Sequence, residues 1–390
     1  MTSRPPLQTV STGLVVAIVG FFSSFPIVLQ GLAGVGADTA QAASGLMFAA
    51  LSMGLTGVVL SLWTKSPVSV AWSTPGAALL AVSAMPEDGF GGAVAGFILA
   101  GALTVIAAWW RPLSRLTAAI PGSIAQAMLA GVLFSLCLRP FQALAEIPFL
   151  ALPILLTWFI ISQISRPFAV PAAVVAGALV VTVNAGFDIP TPETLIAAPV
   201  WVTPVFSLEA LTNIALPLFI VTMATQNVPG LAVLRAYGYQ PRPAPLVTGV
   251  GLASVLSAPF GSPATCLAAI TAAMCANEES HPDPTQRYWS AVMGGLFYCV
   301  LGLFAGAIAG FAALAPALVL GTVAGVALLG VFAGSALAAL EEPDYRQAAA
   351  ATFLITASGI TILGLSAAVW GLVIGGLMQA ISDRLRRMRV

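Results

Sequence analysis

Charge is what this chain has least of. Only 7% of its 390 residues are Asp, Glu, Lys or Arg, against roughly a quarter in an ordinary soluble domain. That excludes a water-soluble fold. The 14 basic residues balance the 14 acidic ones, so there is no basic stripe to follow a phosphate backbone and no nucleic-acid partner is expected. Histidine occurs once, as His281. The four cysteines, Cys137, Cys266, Cys275 and Cys299, are scattered without ligand spacing and read as packing thiols. No metal, no cofactor and no enzymatic chemistry are expected, since neither a metal cluster nor a paired nucleophile and base can be assembled from this inventory.

What the chain has in abundance is apolar sequence: 59% of residues are hydrophobic and the mean hydropathy is +1.00. Lipid tolerates only helices and closed barrels, and long unbroken apolar runs lack the alternation of a barrel strand. The composition therefore predicts an all-α polytopic membrane protein. The first apolar run continues past residue 30 without a small-residue cleavage site, so it reads as a span and not a leader.

At about 20 residues per crossing, the apolar runs divide into fourteen spans. The first seven lie near 11–33, 40–62, 68–85, 91–110, 120–138, 148–164 and 168–187. The second seven lie near 209–234, 244–257, 262–276, 288–311, 314–333, 346–364 and 367–383. Lys and Arg concentrate in cytoplasmic loops. With both termini cytoplasmic, this count sorts every basic residue to the inside except Arg139. Seven spans per half make the second half enter from the opposite face, which predicts a 7+7 inverted repeat of residues 1–187 and 209–390. Two echoes accompany it: STPGAALLAVSA at 73–84 with SPATCLAAITAA at 262–273, and SSFP at 23–26 with QNVP at 226–229.

Ser73, Thr74 and Pro75 have the form of a helix start, a hydroxyl N-cap followed by a proline without an amide to satisfy. Ser262 and Pro263 repeat it. The third and tenth spans are thus predicted to be broken, with extended backbone over 68–72 and 258–261 and half-helices beginning at mid-membrane. A helix N-terminus carries about half a positive charge and unpaired amides, which suits an anion. Ser73, Thr74, Gln226, Asn227, Ser23, Ser24, Ser262 and Thr265 are the candidate polar contacts. Gly76 would allow close approach to backbone, and Phe21, Phe25 and Trp72 would receive the apolar part of the ligand. The Gly302, Gly306, Gly310 ladder fits a close helix contact, within the chain or between the two copies of a homodimer. The HPDP loop around His281 reads as a solvated turn.

AWSTPGAALLA, LAAITAA and HPDPTQRYW resemble the benzoate/proton symporter family (BenE), over essentially the whole chain. The resemblance implies a bacterial inner-membrane carrier, embedded in the lipid bilayer, that imports benzoate or a related aromatic carboxylate with a proton. It also implies the fold of the nucleobase/proton symporters, in which a core domain of spans 1–4 and 8–11 moves against a gate domain of spans 5–7 and 12–14. Nucleobase carriers of that fold place glutamates where this chain has Gln226 and, roughly, Ala264. Such acids would repel a carboxylate, so their absence agrees with an anionic substrate. Cys266 stands where many relatives have Asn, a stronger hydrogen-bonding group. Alternating access is the expected mechanism. The coupled proton travels on the substrate carboxylate or by way of Glu209, and the sequence leaves both open.

Overall fold

A computed structural model describes residues 4–110, 122–185, 195–360, 362 and 365–387. The chain is helical almost throughout. Its first half runs α1 (Leu7–Phe22), α2 (Phe25–Gly34), α3 (Thr39–Thr64), β1 (Val70–Trp72), α4 (Thr74–Val82), α5 (Gly89–Trp109), α6 (Gly122–Glu146), α7 (Pro148–Ile164) and α8 (Arg166–Ala185). The second half runs α9 (Ala210–Ala236), α10 (Pro243–Ser257), β2 (Thr265–Leu267), α11 (Ala269–Ala276), α12 (Tyr288–Leu303), α13 (Ala305–Leu314), α14 (Ala317–Leu340), α15 (Arg346–Ala357) and α16 (Ala367–Arg387). Each of the fourteen apolar stretches contains at least one of these helices. Among the described residues, eight helices are long and apolar enough to cross a membrane, with α1 and α2 counted as one; the bent pair α12 and α13 makes nine. The chain is a multi-pass membrane protein.

Local chemistry explains where the helices start and stop. Asp38 caps α3 by accepting from the Gln41 amide at 2.8 Å, while the Gln41 side chain accepts from the Asp38 amide at 3.0 Å, a reciprocal box that satisfies two otherwise orphan donors. The far end of α3 closes on Lys65 in the left-handed region (φ 52), with its ammonium 4.7 Å from the Tyr288 ring centroid. At about 1.5 Å per residue, the 26 residues of α3 span about 39 Å, enough for the hydrocarbon core.

Helices in lipid associate by close packing, and small residues permit it. A Cβ on Gly54 would lie 2.5 Å from the Gly295 carbonyl oxygen, and one on Gly295 would lie 2.6 Å from the Gly54 carbonyl oxygen. These facing glycines are where α3 crosses α12. In the same way, Gly101 of α5 and Gly251 of α10 each stand 3.0 Å, as a built Cβ, from the other's carbonyl oxygen. Gly31 and Gly34 of α2 lie against the Ala77 and Leu80 carbonyls of α4 at 2.5 and 2.8 Å. The predicted glycine ladder is only partly a contact. Gly302 meets Ala50 of α3, Gly310 faces open space, and a 55° bend between α12 and α13 separates the two.

The loop after α11 is built around a buried cation. Arg287, 5% exposed, donates to the carbonyls of Ala276 (2.8 Å), His281 (2.7 Å) and Pro282 (3.2 Å). Its charge lies at the C-terminal, negative end of α11. Asp283 accepts from the Thr285 amide and hydroxyl, and these hydrogen bonds hold its carboxyl below the usual carboxylate range. His281 accepts from the Asp283 amide at 3.1 Å. The turn expected at HPDP is therefore held by a buried arginine within HPDPTQRYW.

Candidate functional site: the crossing of two interrupted helices

The two halves meet in a short antiparallel ladder. β1 pairs with β2 in the register Val70 with Leu267, Ala71 with Cys266, and Trp72 with Thr265. It is extended at either end, where Ser73 donates to the Ala264 carbonyl at 2.8 Å and Ala268 donates to the Ser69 carbonyl at 3.0 Å. A strand pair inside a helical membrane protein is tolerable only because each strand satisfies the other's backbone. α4 leaves one end of the ladder and α11 leaves the other. Four residues of extended backbone, about 13 Å at 3.3 Å per residue, separate the two helix starts, so they flank a stretch of ladder and do not touch tip to tip.

The first break falls where the sequence places it. Ser73 is the N-cap of α4 and accepts from the Gly76 amide at 3.1 Å. The second break does not. Residues 258–260 form a turn of 3-10 helix closed by Gly261 in the left-handed region (φ 85), and α11 starts only at Ala269. Ser262 and Pro263 belong to the lead-in to β2. The Ser262 hydroxyl is fully buried and donates to the Pro263 carbonyl at 3.2 Å, so it caps nothing. Strand for strand, Val70 corresponds to Thr265, whereas the proline echo would match it with Ala258.

Several predicted ligand contacts are occupied by the scaffold. Ser73 is fully buried, and its second partner is the Thr222 hydroxyl, 2.8 Å away. Asn227 is fully buried; its carbonyl oxygen accepts from the Leu267 amide at 2.9 Å and its amide nitrogen lies 3.2 Å from Met223 Sδ. Thr265 pairs with Ser52 at 2.6 Å, and its amide donates to Ser254 at 2.9 Å. Trp72 donates to Ser24 at 2.8 Å, and its ring stands edge-on to Phe21 at 5.2 Å; Phe21 in turn stacks on Phe25 at 5.9 Å. Phe21, Phe25 and Trp72 are all buried against one another. A Cβ on Gly76 would lie 2.5 Å from Leu218 of α9, so that glycine serves helix packing. Ser23 is half-buried, its hydroxyl 3.4 Å from the Gly20 carbonyl.

What remains open is narrower. Thr74 is half-buried, and neither its amide nor its hydroxyl bonds to a described residue. Gln226 is likewise half-buried, and its side chain makes no hydrogen bond to a described residue. It lies in a π-helical turn, Met223–Asn227, a local widening that recurs at functional sites. Thr222 and Asn227 tie α9 to opposite ends of the ladder, which places Gln226 between the two helix starts. α11 has no side-chain cap. Its first three amides, of Ala269, Ile270 and Thr271, donate to no described residue, and Ile270 is 70% exposed. Among the described residues, none of the side chains that bond to the ladder is charged. Glu209 is at the start of α9, where it accepts from the Glu87 amide at 3.2 Å.

Thr222, Ser52 and Ser254, which hold the ladder, are not distinguished by the sequence. Their only signal is polarity inside an apolar helix, which many packing serines share. Asn227 gives the firmest prediction here. Replacing it with Leu leaves the buried Leu267 amide without an acceptor, at a cost of about 1–3 kcal/mol, and thermal unfolding in detergent should show the loss.

A profile of the family described as benzoate membrane transport protein (BenE) matches residues 3–381. The chain belongs to the BenE family. Inner membrane protein YdcO of Escherichia coli is 39% identical over 98% of this chain and 99% of its own length. The benzoate membrane transport protein of Acinetobacter baylyi is 32% identical over 96% of this chain and 95% of its own. In fold, this BenE member is similar to the transmembrane domain of the cyanobacterial bicarbonate transporter BicA, with TM-score 0.61 and 18% identity over 98% of both chains. It is also similar to SLC26A9, with TM-score 0.60 and 13% identity over 97% of this chain and 65% of that one. The protein is a membrane transporter, and its family is not an enzyme family.

Proposed function

We propose that this BenE member imports benzoate or a related aromatic carboxylate together with a proton, by alternating access. The observation that carries the reading is the pair of helix starts flanking Gln226. Thr74 offers a free amide and hydroxyl, α11 offers three uncapped amides, and among the described residues no carboxylate bonds to the ladder to oppose an anion. The proton travels on the substrate carboxylate or through Glu209.

Fourteen spans in a 7+7 inverted repeat underlie the proposed movement, with spans 1–4 and 8–11 as the core and spans 5–7 and 12–14 as the gate. Two pairings support the repeat. α3 crosses α12 through Gly54 and Gly295, and α5 crosses α10 through Gly101 and Gly251; exchanging the halves of the chain turns one crossing into the other. In this arrangement both termini are cytoplasmic, the membrane is the bacterial inner membrane, and two copies associate as a homodimer.

Uptake of labelled benzoate into proteoliposomes, with and without an imposed inward proton gradient, tests the reading. Saturable uptake raised by the gradient is expected, with accelerated counterflow when unlabelled benzoate is preloaded. Uptake indifferent to the gradient removes the proton. Conductance without saturation or counterflow makes the protein a channel, and preference for another small anion or a neutral ring changes the substrate.

A further inference from the structure

We propose that a second cavity, at the end of the molecule where α3 begins, is a capture site for the incoming aromatic carboxylate, with Arg139 as its cation. The proposal rests on the carboxylate reading above but concerns a different place in the protein. The cavity has a volume of about 370 Å³, within the range of small-molecule sites, roughly 300–1,000 Å³. Arg139, Gln30 and Asp38 are its longer polar side chains, and its walls are mostly Leu and Ala, including Leu29, Leu136 and Leu320. A guanidinium beside apolar walls suits a ligand with a carboxylate at one end and a ring at the other.

The site is built into the backbone. Pro140 lies inside α6 and breaks its hydrogen-bond ladder there, having no amide to give the Leu136 carbonyl, one turn back. Gly325 of α14 stands opposite that break: a Cβ there would lie 2.4 Å from Pro140 and 2.7 Å from the Leu136 oxygen. One turn earlier, Gly321 leaves room for the Arg139 stem, which a Cβ would meet at 3.3 Å. Arg139 is exposed, with no hydrogen bond or ion pair to a described residue. Asp38, the other charged group lining the cavity, has its carboxylate on the first-turn Gln41 amide of α3, where the helix end offsets part of its charge.

Charge placement makes Arg139 distinctive. The opposite end of α3, about 39 Å away, carries Lys65 at its cap and a cavity lined by Arg242. In the proposed topology, Arg139 is the one basic residue among those described that faces the side from which an imported substrate arrives. A lone cation in a low-dielectric cleft concentrates anions and speeds their capture. Leu320 and Ala312 also line a second, wholly apolar cavity reaching Phe22 and Phe25, beside the aromatic cluster that buries Trp72. The capture site therefore shares a wall with a cavity that reaches the aromatic cluster beside the ladder.

The test uses the full-length protein in proteoliposomes. Arg139→Gln should raise the KM for benzoate on the order of tenfold with kcat little changed, and should flatten its dependence on ionic strength. Occupancy is read separately in an Ala317→Cys variant, whose exposed thiol at the cavity rim reacts with an impermeant maleimide. Benzoate should slow that labelling, should still slow it when Thr74→Ala is added, and should fail to slow it when Arg139→Gln is added. Labelling unaffected by benzoate, or slowed equally without Arg139, overturns the proposal. Protection that requires Arg139 in a protein that takes up no benzoate leaves the capture site standing and overturns the transport reading instead.

Discussion

Replacing Gln226 with Glu should reduce benzoate uptake at pH 7 by at least tenfold. The two side chains have nearly the same shape, so the change adds a negative charge between the two helix starts and little else. Two unit charges about 5 Å apart at an effective dielectric near 20 repel by about 3 kcal/mol, roughly a hundredfold in binding. The new carboxylate would also occupy the free amides as an internal competitor. Gln226→Leu, which removes the amide without adding charge, should lose less. A carboxyl ordinarily near 4.3 is pushed upward by a bound anion. Relative to the unmodified protein measured at the same pH, uptake by the Gln226→Glu variant should therefore recover as pH falls toward 5. Equal uptake by that variant and the unmodified protein across the whole range would mean that no anion rests there.

The second large effect is mechanical. Gly54→Val should abolish or severely reduce folded protein, because its Cβ would sit 2.5 Å from a backbone oxygen of Gly295 and 2.6 Å from the Cys299 sulfur. A backbone carbonyl cannot rotate away as a side chain can, so α3 and α12 must separate along their seam. Overpacking of this kind costs about 1–3 kcal/mol and sometimes more, a large share of a marginal stability. Gly251→Val in the other crossing should act in the same direction but less strongly, since its nearest neighbour, at 2.8 Å, is a methyl group of Val105. Gly310→Val, with nothing within 4 Å, is the control. Monodispersity and thermal unfolding in detergent rank the three.

Much of this architecture was legible in the sequence because lipid imposes simple rules. Apolar length marked all the helical segments, and Ser73-Thr74-Pro75 marked the first break because a capped start has a chemical signature. The second break was misplaced because Ser262-Pro263 carries the same signature while serving as extended lead-in. The true start, Ala268 and Ala269, has no capping side chain and so no signature. A cap would take one of its first-turn amides, and without one all three stay free. The polar residues were legible as a group but not by role. Ser73 and Asn227 read from sequence as ligand contacts, yet burial and pairing give them to the scaffold, and only the bonds from Thr222 to Ser73 and from Leu267 to Asn227 put the Gln226 turn of α9 alongside the ladder. Arg139 was visible as the one basic residue out of place, whereas the cavity around it depends on Pro140, Gly321 and Gly325 meeting across two helices.

The most direct measurement is a crystal of the protein with 4-bromobenzoate, located by the anomalous signal of its bromine. The account predicts a carboxylate between Thr74 and Gln226 or on the first turn of α11, held by backbone amides with no arginine or lysine in contact. A ligand whose carboxylate at the ladder is held by a basic side chain, or a ladder that stays empty while the ligand binds elsewhere, would contradict it.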